Sequence, residues 1–150
     1  MMRSLVLACL IACGPKPTAT QEPDPEQIAK STLPDVPFRD LDLDQRAELM
    51  KQQVVPTMTP LFREHDAVKY ADVGCATCHG EGAADGDFDM PNEKLPVLDF
   101  ADMSKFEPAD IEWMKSKIMP TMANLLREPM HSQENPSGFG CLNCHTAAGH

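Results

Sequence analysis

The stretch Cys75-Ala76-Thr77-Cys78-His79 recurs 66 residues later as Cys141-Leu142-Asn143-Cys144-His145. Both copies follow the pattern C-x-x-C-H, which is the attachment signature of c-type haem. Two thiols one helical turn apart can bond to the two vinyl groups of one porphyrin, and the adjoining His can then ligate the iron. The sequence therefore predicts two covalently bound haem c groups. The predicted thioether residues are Cys75, Cys78, Cys141 and Cys144, and the predicted iron ligands beside them are His79 and His145.

Paired cysteines also occur in zinc sites and in redox dithiols. Neither kind of site requires a His directly after the second Cys of each pair. The 62 residues between Cys78 and Cys141 also exceed the usual separation within a zinc knuckle. Haem attachment is the preferred interpretation, with zinc binding and dithiol chemistry as the alternatives.

An internal duplication precedes the two motifs. A shift of 64 residues aligns ELMKQQVVPTMTPLFRE (48–64) with EWMKSKIMPTMANLLRE (112–128), and nine of the 17 positions are identical. Each copy has apolar residues at spacings of three and four, which indicates an amphipathic helix. The first stripe consists of Leu43, Ala47, Met50, Val54, Met58 and Leu61, and the second of Ile111, Met114, Ile118, Met122 and Leu125. Pro56 and Pro120 are expected to kink or divide these helices.

The composition limits the fold and the partners. With 150 residues, 14 prolines and 5% aromatic residues, the chain allows one domain or two very small ones with a thin core. Two haems would add large apolar plates to that core. We therefore predict an all-α protein in which two repeated helix–turn–C-x-x-C-H units wrap around two haems. The net charge of −10 argues against nucleic acid and for a partner protein with a basic patch.

The amino-terminal sequence indicates export. Residues 1–12 carry one positive charge and a short apolar run, and Leu10-Ile11-Ala12-Cys13 resembles the lipobox of bacterial lipoproteins. We predict a signal peptide over 1–12, lipidation at Cys13, and a disordered tether up to residue 41. Gly14 after the Cys favours the outer membrane, so the expected location is the periplasmic face of a bacterial membrane. A plain secretory signal is the alternative. The first haem unit is assigned to 42–90, and the connector with the second unit to 91–150.

The second axial ligand of each iron determines whether the haem is closed or open to small molecules. Met58 lies 17 residues before Cys75 and Met122 lies 19 before Cys141, and both follow Pro-Thr. Because they correspond in the duplication, Met58 and Met122 are the preferred sixth ligands. Ordinary core methionines, an open iron, and His65 with His131 are the alternatives, since each of these histidines lies ten residues before its first Cys.

The order of helix, methionine, turn and C-x-x-C-H resembles the haem units of the photosynthetic reaction-centre cytochrome c subunit family. The resemblance covers about residues 42–79 and 106–145, with two units where that subunit has four. It implies covalent haems with Met and His axial ligands. The segment CATCHGEGA also resembles a class I cytochrome c, in which a downstream residue such as Met119 or Met122 would serve the first haem. That scheme leaves the second iron without an internal partner.

Two functions remain in competition. The preferred one is a di-haem electron-transfer protein that is not an enzyme, anchored by lipid and docking onto redox partners. The alternative is a ligand-binding haem protein, either a gas sensor or a small peroxidase, with at least one five-coordinate iron.

Overall fold

The structure, a computed structural model, describes residues 33–149. This part of the chain is helical, with isolated β-bridges and no β-strand among the described residues. The all-α fold class is thereby confirmed. The predicted signal peptide, the lipidation site at Cys13 and residues 13–32 of the predicted tether lie outside the described residues.

The first long helix (residues 43–65) has three consecutive parts. They are α1 (Leu43–Leu49), a first π segment (Met50–Val54) and α2 (Val55–His65). Asp42 caps the start, because its side chain accepts a hydrogen bond from the Gln45 N–H while the Gln45 side chain accepts one from the Asp42 N–H. This capping box satisfies two amides that a helix start leaves free, so the helix begins near Leu43, as the sequence predicts.

The second long helix (residues 108–125) repeats this plan. After the short α3 (Cys75–His79), the chain forms α4 (Pro108–Trp113), a second π segment (Met114–Ile118) and α5 (Met119–Leu125). The two π segments lie 64 residues apart, which is the offset of the sequence duplication. Short 3-10 turns lie at Phe38–Asp40, Glu81–Asp85 and Cys141–Asn143. Within residues 33–149, every helix is too short or too polar to cross a membrane.

Each π segment ends two residues before the proline that the two repeats share. The Val55 N–H bonds to the Met50 carbonyl and the Met119 N–H to the Met114 carbonyl, each five residues back. Within a regular α-helix, a proline ring clashes with the carbonyl four residues back and removes one hydrogen bond. The wider turn relieves both problems. Each proline then lies in the first turn of the α-helical part that follows the π segment. The prolines therefore change the helical hydrogen bonding and do not divide the helices.

The π segments also shift the apolar face of each helix. In the first helix, the buried side chains step by five residues across the π segment and by four thereafter: Leu49, Val54, Met58 and Phe62. The predicted stripe is wrong at its start, because Leu43 is 80% exposed and Ala47 is also exposed. The same steps occur in the second helix, where Trp113, Ile118, Met122 and Leu126 contact the core. A regular period of 3.6 could not place both halves of each stripe on one face.

The two long helices pack side by side and antiparallel. At one end, the Phe38 N–H donates to the Leu126 carbonyl at 2.9 Å. At the other end, His65 Nε2 lies 2.7 Å from Asp110 Oδ1. Between these ends, α2 contacts the second π segment and α5 contacts the first. These reciprocal contacts relate the two helices by an approximate two-fold axis that passes near the π segments.

The last part of the predicted tether is ordered. Leu41 is 3% exposed and belongs to the core, and Leu33, Val36 and Phe38 pack against it. Arg127 reinforces this packing through an ion pair of 2.6 Å with Asp35. The prediction of disorder up to residue 41 is therefore wrong for residues 33–41, because four apolar side chains at short, irregular intervals cover the helix pair without a helical period.

We expect Leu49→Ala to lower the free energy of unfolding by about 3 kcal/mol, because it removes a side chain with 0% exposure from the core between the helices. Leu43→Ala, in the same helix and 80% exposed, is the matched control and should cost less than about 0.5 kcal/mol. Urea unfolding followed by far-ultraviolet circular dichroism measures both. Equal losses would contradict the shifted apolar face.

Candidate functional site

The first C-x-x-C-H motif forms α3 and is bounded by two glycines. The Gly74 N–H donates to Thr77 Oγ1 at 3.0 Å, which closes the first turn. Gly80 follows His79 with φ of +69°, a conformation that favours glycine. A Cβ at this position would also lie 3.1 Å from Lys94 Cβ, so the turn after the motif packs closely on a later segment.

The second motif begins with the same cap. The Gly140 N–H donates to Asn143 Oδ1 at 2.7 Å, and the His145 N–H donates to the Cys141 carbonyl at 3.0 Å. Each motif thus has glycine just before it and a side-chain acceptor just before its second Cys. The sequence analysis missed this shared cap, although the order Gly-Cys-x-Thr/Asn-Cys-His is visible in both copies.

The segment from residue 92 to 98, which the sequence presents only as a connector broken by proline, aligns with the second motif. It makes parallel β-bridges between Asn92 and His145 and between Leu98 and Ala147. The Asn92 N–H donates to the Cys144 carbonyl and the Leu98 N–H to the Thr146 carbonyl, both at 2.9 Å. The connector therefore fixes the backbone on both sides of His145.

Asn92 joins the two motifs. Its Nδ2 donates to the His79 carbonyl at 2.5 Å, while its backbone N–H holds Cys144. With 6% exposure, it is the buried polar residue of the described core. Nothing in the C-x-x-C-H pattern signals this residue, because its role depends on the path of the connector.

The His79 ring is half-buried beside an exposed aromatic side chain. Its Nδ1 is buried and forms no hydrogen bond of ordinary geometry with any other described residue. Burial lowers the pKa of His79, and the nearby Phe88 backbone and Asp87 carboxylate oppose only part of that shift. The Phe88 ring meets the imidazole edge-on, with 5.4 Å between ring centroids. His79 is therefore held as a neutral imidazole, the form that binds metals.

The His145 ring is oriented by the connector. Its Nδ1 lies 2.9 Å from the Pro96 carbonyl, so Nδ1 carries the proton that it donates to that oxygen. This hydrogen bond to a backbone carbonyl is the usual support for a metal-binding imidazole. The ring lines a cleft of about 280 Å³ together with Pro91, Leu142, Thr146 and Ala147.

The four motif cysteines are free thiols, of which Cys75 is exposed and the other three are partly buried. Burial raises the pKa of Cys78, with a smaller contribution from Cys75. Burial also raises the pKa of Cys144 to about 11, and the neighbouring Cys78 and Cys141 add to the shift. The two motifs are therefore neighbours in space. Redox dithiols depend on a lowered thiol pKa, so these values argue against the dithiol alternative.

Within residues 33–149, no group of three or more His, Cys, Asp or Glu side chains converges as a metal site. The two C-x-x-C pairs thus do not combine into the four-ligand arrangement of structural zinc. The adjacency of Cys78 and Cys144 does not extend to all four thiols.

The predicted methionine ligands lie in or beside the core. Met58 is 3% exposed, and Met122 is half-buried against the same cluster. Cys144 also packs against that cluster, so the second motif borders the same core. Met119 Sδ, which would serve the first haem in the class I scheme, lies 4.0 Å from Cys141 Sγ in the second motif.

His65 contacts the second helix. Its Nε2 lies 2.7 Å from Asp110 Oδ1, and its ring stacks on Trp113 with 4.0 Å between centroids. A second cleft of about 190 Å³ lies here, lined by Leu61, Glu64, His65, Trp113 and Lys117. The structure thus gives His65 a role in joining the ends of the long helices.

His131 lies beside the second motif. Its backbone N–H donates to the Phe139 carbonyl, and its Nδ1 lies 2.9 Å from the Pro136 carbonyl. A Cβ at Gly140 would be 3.1 Å from His131 Cβ, so this histidine contacts the residue before Cys141. The two histidines considered as alternative ligands therefore occupy different environments.

In protein produced without haem attachment, we expect iodoacetamide to modify Cys75 much faster than Cys144 at pH 8. Cys75 is exposed, whereas the pKa of about 11 leaves roughly one Cys144 thiol in a thousand ionised at that pH. Mass spectrometry of quenched samples measures both sites, and the Cys144 rate should keep rising up to about pH 11. Urea-unfolded protein, in which both thiols should react alike, is the control. Equal rates in the folded protein would contradict the burial of Cys144.

The chain was compared with protein families, curated proteins and solved structures. No protein family, curated protein or solved structure matches the chain.

Proposed function

We propose that this protein binds two covalent haem c groups and transfers electrons. The observation that carries the proposal is the pair of C-x-x-C-H motifs. Each motif begins with the same kind of glycine cap, and Asn92 is hydrogen-bonded to both motifs. Two redox centres that exchange electrons need a fixed distance between them, whereas two independent metal sites do not.

The residues present fit haem better than zinc or a dithiol. Both motif histidines are held by their surroundings, since the Nδ1 of His79 is buried and the Nδ1 of His145 donates to the Pro96 carbonyl. The raised pKa of Cys144 shows that a thiolate is disfavoured at its position. A thioether carries no ionisable group, so attachment to haem would remove the cost of ionising a buried thiol.

Each residue of the site has a defined task in this proposal. Cys75, Cys78, Cys141 and Cys144 form the thioethers, and His79 and His145 ligate the two irons. Each bound haem supplies a one-electron Fe(II)/Fe(III) couple. Met58 and Met122 would provide neutral thioether ligands, and Met58 is buried in one core cluster with Leu49, Val54 and Phe62.

The contacts of His65 favour methionine as the ligand in the first unit. Its Nε2, the nitrogen that most often binds iron, is already 2.7 Å from Asp110, and its ring is stacked on Trp113. Ligation by His65 would break both contacts. His131 keeps Nε2 free of the Pro136 contact and remains the rival ligand in the second unit.

The proposed location and partners follow from the sequence. The lipobox at Leu10–Cys13 supports lipid anchoring through Cys13 on the periplasmic face of a bacterial membrane, with the outer membrane favoured. The net charge of −10 supports docking onto redox proteins that carry a basic patch. In this role the protein carries electrons and is not an enzyme.

We expect the double variant Cys75→Ala/Cys78→Ala to retain one covalent haem, held by Cys141 and Cys144, while the unaltered protein retains two. Haem absorbance per protein after denaturation measures the count, because covalent haem stays with the chain. Cys141→Ala/Cys144→Ala is the reciprocal control and should also leave one. Unaltered protein that contains zinc and no haem would overturn the proposed function.

We expect Met58→Ala to open one iron of the reduced protein to carbon monoxide, because alanine offers no ligand atom. Met122→Ala should open the other. Met50→Ala is the matched control, since Met50 is a partly buried methionine of the same helix and should leave both irons closed. Optical spectra before and after carbon monoxide measure the response. Rapid binding by the unaltered protein would instead favour the ligand-binding alternative.

His65→Ala should also leave both irons closed. If the methionine variants stay closed while His65→Ala or His131→Ala opens an iron, the methionine assignment is wrong for that haem.

A further inference from the structure

Three of the hydrogen bonds of Asn92 connect the two motifs and the connector. Its Nδ2 donates to the His79 carbonyl at 2.5 Å, and its N–H donates to the Cys144 carbonyl at 2.9 Å. Its Oδ1 accepts from the Lys94 N–H at 2.8 Å. Asn92 is 6% exposed, so the loss of any of these bonds would leave a buried polar group without a partner.

The surroundings of Asn92 leave it little freedom. The turn at Gly80 lies against Lys94, close enough that an added Cβ would be 3.1 Å from Lys94 Cβ. Further along the connector, Pro96 orients the His145 ring and Leu98 exchanges two backbone hydrogen bonds with Thr146 and Ala148. The same short segment therefore holds the backbone after the first motif and both the backbone and the imidazole of the second.

We propose that Asn92 is a positioning residue that fixes the two haem-attachment motifs relative to each other and thereby sets the rate of electron exchange between them. This inference rests on the proposed function. Asn92 bonds to both motifs. Its side chain donates to His79, which would ligate the first iron, and its backbone N–H donates to Cys144, which would carry the second haem.

The exchange itself is balanced and needs no outside reagent. One electron would leave the ferrous iron held at one motif and reduce the ferric iron held at the other, and no proton would move. Asn92 takes no part in bond making. Its contribution is the fixed geometry of the peptide groups that link the two sites, in the way that outer hydrogen bonds fix ligands in other metal sites.

The test compares Asn92→Leu with Leu98→Ala in the haem-loaded protein. Leucine has nearly the shape of asparagine but can neither donate to His79 nor accept from Lys94. Leu98→Ala is the matched control, because Leu98 is a buried residue of the same connector, 8% exposed, and its side chain makes no hydrogen bond to either motif. Asn92→Asp, which keeps the shape and the acceptor but loses the donor, serves if Asn92→Leu does not fold.

The measurements are the rate of electron exchange in half-reduced protein, from exchange spectroscopy of the haem methyl resonances, and amide hydrogen exchange at Lys94. We expect Asn92→Leu to keep both haems, to slow electron exchange roughly tenfold, on the scale of other outer-shell losses, and to lose protection at Lys94. Leu98→Ala should lower stability and leave the electron-exchange rate unchanged.

Two results would overturn the inference. An unchanged exchange rate in Asn92→Leu would show that Asn92 only stabilises the fold. An equal slowing in Leu98→Ala would show that any loosening of the connector has the same effect. Either result would leave the proposed function intact, whereas unaltered protein without covalent haem would remove the function and the inference together.

Discussion

The missing amide of one proline in each repeat is the constraint on which the helix pair depends. Pro56 and Pro120 each lack the amide donor of a regular α-helix, and a π segment ends two residues before each of them. The wider turn moves the buried stripe by five residues, from Leu49 to Val54 and from Trp113 to Ile118. The two helices then contact each other through these segments, and Met58 and Met122 follow on the same shifted faces.

The motifs obtain their positions from a different source. Neither of the two is tied to its own long helix by a hydrogen bond between backbone groups of the two elements. They are held by the connector, where Asn92 contacts both and Pro96 orients His145. The long helices thus provide a buried face, and a segment without regular secondary structure sets the distance between the two C-x-x-C-H sequences.

The sequence predicts the helical class, the start of the first helix at Leu43 and the duplication, because these depend on local spacing and capping. It does not predict the π segments, since the 3.6-residue period assumes regular hydrogen bonding and therefore places Leu43 and Ala47 in the core. The motifs are visible as sequence, but Asn92 is not, because a lone asparagine between prolines acquires meaning only when the connector lies beside the second motif. The order in residues 33–41 is not predicted for the same reason, since Leu41 is buried in a core that includes Ala123 and Leu126 of the distant second half.

The approximate symmetry of the helices does not extend to the two histidines. His145 donates from Nδ1 to the Pro96 carbonyl, whereas the Nδ1 of His79 is buried with the Phe88 backbone nearby, and burial lowers the pKa of His79. A hydrogen bond to the outer nitrogen makes an imidazole a stronger electron donor. The connector gives His145 this support through Pro96, whereas His79 is surrounded by the Phe88 backbone and ring. The duplication therefore repeats the helices and the motifs, while segments outside the aligned repeat give the two histidines unequal surroundings.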